Sequence, residues 1–139
     1  MKNLSILILV VIVSMFSCKK TSTTKEENKE QNSTIAINTC NLFSTNINSN
    51  FSICYDSLVT DSRCPSDVVC VWAGIAIVKL SFTQNNSIVS FKLSSMGGNY
   101  FPPKDTTING IKIKLIDVIP YPKFSGSNNE TRKVVLEIN

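Results

Sequence analysis

Three stretches between Ile88 and Asn139 alternate apolar and polar side chains with a period of two. In "IVSFKLS" Val89, Phe91 and Leu93 oppose Ser90 and Lys92, and in "IKIKLIDV" Ile111, Ile113 and Leu115 oppose Lys112 and Lys114. In "TRKVVLEIN" Val134, Leu136 and Ile138 oppose Lys133, Val135 and Glu137. A strand turns successive side chains to opposite faces, so this period builds half-buried strands and suits no helix. "VWAGIAIVKLSF" is more continuously apolar, with Ala76, Val78, Leu80 and Phe82 on one face, and reads as a central strand. Two further strands are expected at about Ile37 to Ser44 and Phe51 to Thr60. The links "TQNN" and Asn109-Gly110 are short hairpin signals, whereas "SSMGGNYFPPKD" and "PYPKFSGSNN" are long irregular loops. The expectation is an all-β domain, a small antiparallel sandwich or barrel of six to seven strands.

The chain before this domain has another character. "MKNLSILILVVIVSMFSCKK" sets Lys2 ahead of an apolar run from Leu4 to Phe16 and a small residue, Ser17, before Cys18. That is the pattern of a removable export signal over residues 1–17. Thirteen helical residues reach only about 20 Å against the roughly 30 Å of a bilayer core, so the run is too short to remain as a span. "MFSC" resembles a bacterial lipobox, although Met15 and Phe16 depart from its commonest form. The resemblance implies cleavage before Cys18 and acylation of that cysteine, with several acyl chains giving a stable anchor. No aspartate follows Cys18, and the expected address is the bacterial cell envelope, lipid-anchored in the outer membrane. Residues 18–36, "CKKTSTTKEENKEQNSTIA", hold nothing apolar between Lys19 and Ile35 and read as a disordered tether. The β domain is then residues 37–139.

Net charge is +4 for the whole chain. Removing the signal and setting the tether aside leaves the domain near +2, with no basic run interleaved with aromatics. No nucleic-acid partner is expected; the expected partners are the membrane, through the lipid, and a protein or other envelope ligand.

With Cys18 taken by lipid, four cysteines remain: Cys40, Cys54, Cys64 and Cys70. An even number in a small exported domain indicates a disulfide framework. Of the three possible pairings, Cys40 with Cys54 and Cys64 with Cys70 is favoured. The spacings lack the close pairs of a structural zinc site and the C-x-x-C of a redox motif.

"DSRCPSDVVCVWAG", Asp61 to Gly74, is the densest chemistry in the chain. There is no histidine to serve a nucleophile as base. Asp61 reads as an ion pair with Arg63 and Asp67 as an Asx-type turn; a carboxylate pair or a calcium ion held by Asp61 and Asp67 are the competing readings. Neither a catalytic residue, a metal nor a cofactor is expected. The candidate recognition surface is the stretch Pro65 to Val69, with Pro65, Ser66 and Asp67 foremost, of the loop closed by Cys64 and Cys70, with Trp72 and the "MGGNYFPP" loop that carries Tyr100 and Phe101. Trp72 is either an exposed anchor or, the favoured reading, part of the core. Tyr100 and Phe101 either face a partner or cap the core. The expected role is a non-catalytic binding or structural module; the alternatives are a proteinase inhibitor presenting a braced loop and a carboxylate- or metal-dependent enzyme.

The segment, together with "IDVIPYP" and the terminal strand, resembles a group of small exported bacterial proteins, many of them lipoproteins, that share a D-S-R-C-P…C-x-W-A-G string. The resemblance covers about Phe51 to Ile138 and implies a disulfide-tied β domain with no established activity. Ile75 stands where that group would have an acidic residue.

Overall fold

The computed structural model describes residues 31–44, 50–125 and 130–139. The export signal, Cys18 and most of the tether lie outside the described residues. The described chain is all-β, with no helix and two antiparallel sheets of four strands each. Its strands are β1 (Gln31–Ala36), β2 (Thr39–Ser44), β3 (Asn50–Asp61), β4 (Ala76–Gln84), β5 (Ser87–Ser94), β6 (Asp105–Ile108), β7 (Ile111–Ile119) and β8 (Lys133–Ile138). One sheet runs β1-β8-β7-β6 and the other β2-β3-β4-β5.

Eight strands stand where six to seven were expected, because residues 31–36 are not tether. They form β1, paired along β8 from Gln31 opposite Ile138 to Ala36 opposite Lys133. An edge strand needs backbone partners more than apolar side chains, and Ile35 is the one β1 side chain fully buried. The strand expected from Ile37 starts instead at Thr39, after a corner at Asn38, whose φ of 60° ends the extended run. Side-chain amides stabilise such left-handed positions, and the same device, at Asn85 and Asn86 and at Asn109 with Gly110, closes the β4–β5 and β6–β7 hairpins.

The expected alternation sets the core. Ala76, Val78, Leu80 and Phe82 of β4, Ile111, Ile113 and Leu115 of β7, and Val134, Leu136 and Ile138 of β8 join one buried cluster drawn from both sheets. Phe43, Phe51 and Phe82 stack in series with ring centroids 5.3 Å apart. β5 follows its pattern at Leu93, which is fully buried, and at Phe91, which is partly buried against the core, but not in its first half, where Val89 is exposed.

Both disulfides have the favoured pairing. Cys40–Cys54 joins directly opposed residues of β2 and β3, and Cys64–Cys70 closes the loop after β3.

Candidate functional site

Antiparallel order gathers the three long connections at one end of the domain. The loop 62–75 joins β3 to β4, the loop 95–104 joins β5 to β6, and the segment 120–132 joins β7 to β8. The Ser66 amide donates to the Pro122 carbonyl at 2.9 Å, joining the first connection to the third, and the second is folded back on its own strand by the Ser94 amide donating to the Pro103 carbonyl at 3.0 Å. The opposite end holds the tight turns at 85–86 and 109–110, tied by Asn109 Nδ2 donating to Gln84 Oε1. Gln31 and Asn139 lie at that same turn end.

Arg63 organises the loop end. Its side chain is 3% exposed and forks onto Asp61, with Nε 2.8 Å from Oδ1 and Nη2 2.8 Å from Oδ2. Its Nη1 donates to Asp117 Oδ1 at 3.1 Å and to the Val118 carbonyl at 2.6 Å, and the guanidinium carbon lies 4.1 Å from the centre of the Tyr121 ring. Arg63 thus ties β3 to β7 across the sheets through a bidentate pair, a second carboxylate and an aromatic face. Burial opposes its charge, but Asp61, with Tyr121 beside it, more than offsets this and holds the guanidinium above its ordinary value. The Asp61–Arg63 ion pair expected from the sequence is present; Asp117 and Tyr121 were not expected in it. A signal for Asp117 exists: after Ile111, Ile113 and Leu115 the next buried residue is Val118. The register shift between Leu115 and Asp117 that causes this delivers the Asp117 carboxylate to Arg63.

Beneath this network lies Tyr55, fully buried, its hydroxyl without a hydrogen-bond partner among the described residues. Burial first, then the Asp61 charge, push its phenol up to about 12, against the pull of Arg132 and Arg63.

Four attachments pin the stapled loop. The Ser62 amide donates to the Ile75 carbonyl at 2.8 Å and the Cys64 amide to Ala73 at 3.0 Å. Cys64–Cys70 closes the ring. Asp67 then clasps the 120–132 segment, its carboxylate accepting from the Phe124 amide at 2.7 Å, the Ser125 amide at 2.8 Å and the Ser125 hydroxyl at 2.5 Å. These donors, the Ser125 hydroxyl foremost, hold the Asp67 carboxyl well below the usual range. The expectation of a local Asx turn is corrected: the partners of Asp67 lie more than fifty residues along the chain.

Gly74 makes the return possible. Its φ is +68°, and a Cβ there would sit 1.8 Å from the Ser62 carbonyl oxygen. The "WAG" glycine lets one backbone lie against another, and its left-handed turn delays β4 until Ala76. This corrects the favoured reading of Trp72 as core. Ile75 and Ala76 take the buried positions, and Trp72, in a bend before the strand, is 82% exposed.

Of the other candidate residues, Ser66 and Asp67 are exposed and Pro65 half-buried. Tyr100 is 95% exposed and Phe101 partly so, and neither caps the core. Their loop is fastened elsewhere, by Ser94 Oγ donating to the Pro102 carbonyl at 2.5 Å and the Ser95 amide to Ala76 at 2.9 Å. Val69, at the end of the expected Pro65–Val69 surface, stands almost wholly in solvent, as does Val71, which sequence reasoning passed over; Phe124 is exposed beside the Asp67 clasp. Among the described residues no cluster of His, Cys, Asp and Glu has the arrangement of a metal site. Asp61 and Asp117 meet on Arg63, and Asp67 is turned to other donors. Comparison with protein-family models, with curated proteins and with solved structures returns no match.

Proposed function

We propose that the protein is a lipid-anchored, non-catalytic binding module of the bacterial cell envelope, held through Cys18 in the outer membrane, with its two sheets facing one another as a small sandwich. Its loop end meets a protein or other envelope ligand. The observation that carries the reading is the exposure of Val69, Val71 and Trp72 on a loop pinned by a disulfide, two backbone hydrogen bonds and the Asp67 clasp. Large apolar side chains held rigid in water lose little entropy when a partner covers them, and Trp in such a place is a common anchor. A non-catalytic role is supported by the engagement of Asp61, Asp67 and Asp117 in hydrogen bonds within the protein itself.

A photoreactive phenylalanine analogue placed at Trp72 of the full chain in bacterial cells should give one discrete crosslinked species, lost when Cys64 is replaced by Ser. The same analogue at exposed Thr107, toward the turn end, should give none. Equal or diffuse labelling from both positions would remove the loop end as the binding surface. Cys18→Ser should move the protein from the membrane to the soluble fraction, and retention there would remove the lipid anchor. The exposed Val69–Val71 stretch beside a disulfide also fits a proteinase-inhibitor loop, for which stoichiometric inhibition in a protease panel is the test.

A further inference from the structure

The two sheets differ in which lysines they set against one another: Lys133 of β8, exposed and without an ion pair among the described residues, faces Ala36 and Ile119 and no other lysine. In the sheet containing β7, Lys112 Nζ lies 3.1 Å from Asp105 and Lys114 Nζ 2.9 Å from Glu137, so each ammonium has a carboxylate on a neighbouring strand. In the other sheet Lys79 of β4 and Lys92 of β5 stand directly opposite one another, both exposed, and neither forms an ion pair among the described residues. Like charges facing each other across a ladder destabilise it. A lysine on an edge strand often serves to turn other strands away, which would account for Lys92. It does not account for Lys79, because β4 lies between β3 and β5 and guards no edge. A local arrangement that costs stability with no structural return points to a use elsewhere.

The surroundings show what that use is. β5 ends its sheet, and from Ser87 to Ser90 it is exposed on both faces, with Ile88 69% and Val89 40% exposed. Ile88 shares the outward face with Lys92, and Val89 faces inward beyond the cover of the other sheet. The stretch ends where Ser94 is covered by the 95–104 loop. Among the described residues the free edge therefore offers about six residues of unpaired backbone, two uncovered apolar side chains and a doubled positive charge.

The geometry points to β5 as a docking edge for an extended acidic segment of a partner protein, added antiparallel as a further strand. Backbone hydrogen bonds along the edge would supply affinity and the side chains selectivity. The register fixes the pattern. A residue opposite Lys92 is acidic, where both ammonium groups attract it, and the residues three and four positions later, opposite Val89 and Ile88, are apolar. A second copy of β5 does not satisfy this, since antiparallel self-pairing about Ser90 would set Lys92 against Ile88. The inference is independent of what binds at the loop end.

Selection from a random-peptide display library on the immobilised full-length protein tests it. Enriched peptides should carry an acidic residue three and four places before an apolar pair. Binding of a synthetic peptide of that pattern should weaken about fivefold to tenfold in Lys92→Glu, a change on the scale of one cross-strand charge pair. A peptide with lysine in place of the acid should regain the loss on Lys92→Glu, and Lys79→Glu should act in the same direction. The Trp72→Ala variant should bind the peptide unchanged, which separates this edge from the loop end. Enrichment without acidic residues, or equal binding by wild type and Lys92→Glu, would overturn the proposal. So would concentration-dependent dimerisation through β5, or binding to anionic phospholipid vesicles lost in the same lysine variants while no peptide is enriched.

Discussion

Replacing Arg63 with Ala would leave Asp61 and Asp117 facing each other with no cation between them, and Asp61 is 7% exposed. Removing one partner of a buried pair costs far more than the pair contributes, so Arg63→Ala should destabilise by about 3–5 kcal/mol in chemical denaturation. Arg63→Lys should recover only part of this, because an ammonium cannot occupy both Asp61 oxygens and reach Asp117. Tyr55 gives the opposite expectation. Its hydroxyl is buried without a partner among the described residues, so Tyr55→Phe should stabilise the fold by about 1 kcal/mol. The sign of its pH dependence follows from a phenol pushed up to about 12 in the folded protein, against about 10 when unfolded. The unfolded chain gives up that proton first, so the stabilising contribution is whole below about pH 10 and is lost as pH rises toward about 12. An ultraviolet phenolate titration should show a step near pH 12 that disappears in Tyr55→Phe.

At the scale of elements, the connection between β3 and β4 depends on one missing methyl group. Gly74→Ala would press a Cβ into the Ser62 carbonyl and demand a left-handed φ from alanine, and should cost on the order of 3 kcal/mol while freeing the stapled loop. A readout of both is a lower unfolding midpoint with faster amide exchange at Cys64 and Ser66. The Asp67 clasp sets a second expectation. Its carboxyl is held below its ordinary range, so the stability it adds is whole above the unfolded value near 3.9, declines as pH falls below that value, and is gone once pH has passed the lower folded value. Amide exchange at Phe124 and Ser125 should stay slow at pH 4 and quicken well below it, whereas Asp67→Asn should quicken it already at neutral pH. These parts also show what the sequence exposes and what it hides. The Asp61–Arg63 pair was legible because its members are two residues apart. Asp117, Tyr121 and Ser125 were not, since they reach the loop only after two sheets have closed. Trp72 misled for a local reason: an apolar run was read as one strand through a glycine whose positive φ interrupts it.

Over the whole molecule, β4, β7 and β8 were legible because each has one face in a common core, and period two records that directly; β6, with no fully buried side chain, was marked only by the Asn109-Gly110 turn beside it. β1 was not legible, because it is recruited by the edge of β8 and contributes little apolar surface of its own. The disulfides followed from the even count and the strand assignment, and their loss should be unequal. Under the chain-entropy model the fifteen-residue ring of Cys40–Cys54 contributes about 3 kcal/mol and the seven-residue ring of Cys64–Cys70 about 2. Paired serine substitutions at each should lower the unfolding midpoint in that order, with the second chiefly loosening the loop end. Gln31 sits opposite Ile138 at the end of the domain away from the loops. For a body held by its N-terminal side, a strand of nine residues such as β7 then acts as a spacer of about 30 Å. Under the proposed lipid anchor, such a spacer would keep the local concentration of Val69 and Trp72 low beside the lipid surface and raise it tens of ångströms away. With the proposed acylation of Cys18, the fold would in that respect be a ruler, selecting partners by their height above the membrane before any side chain touches them.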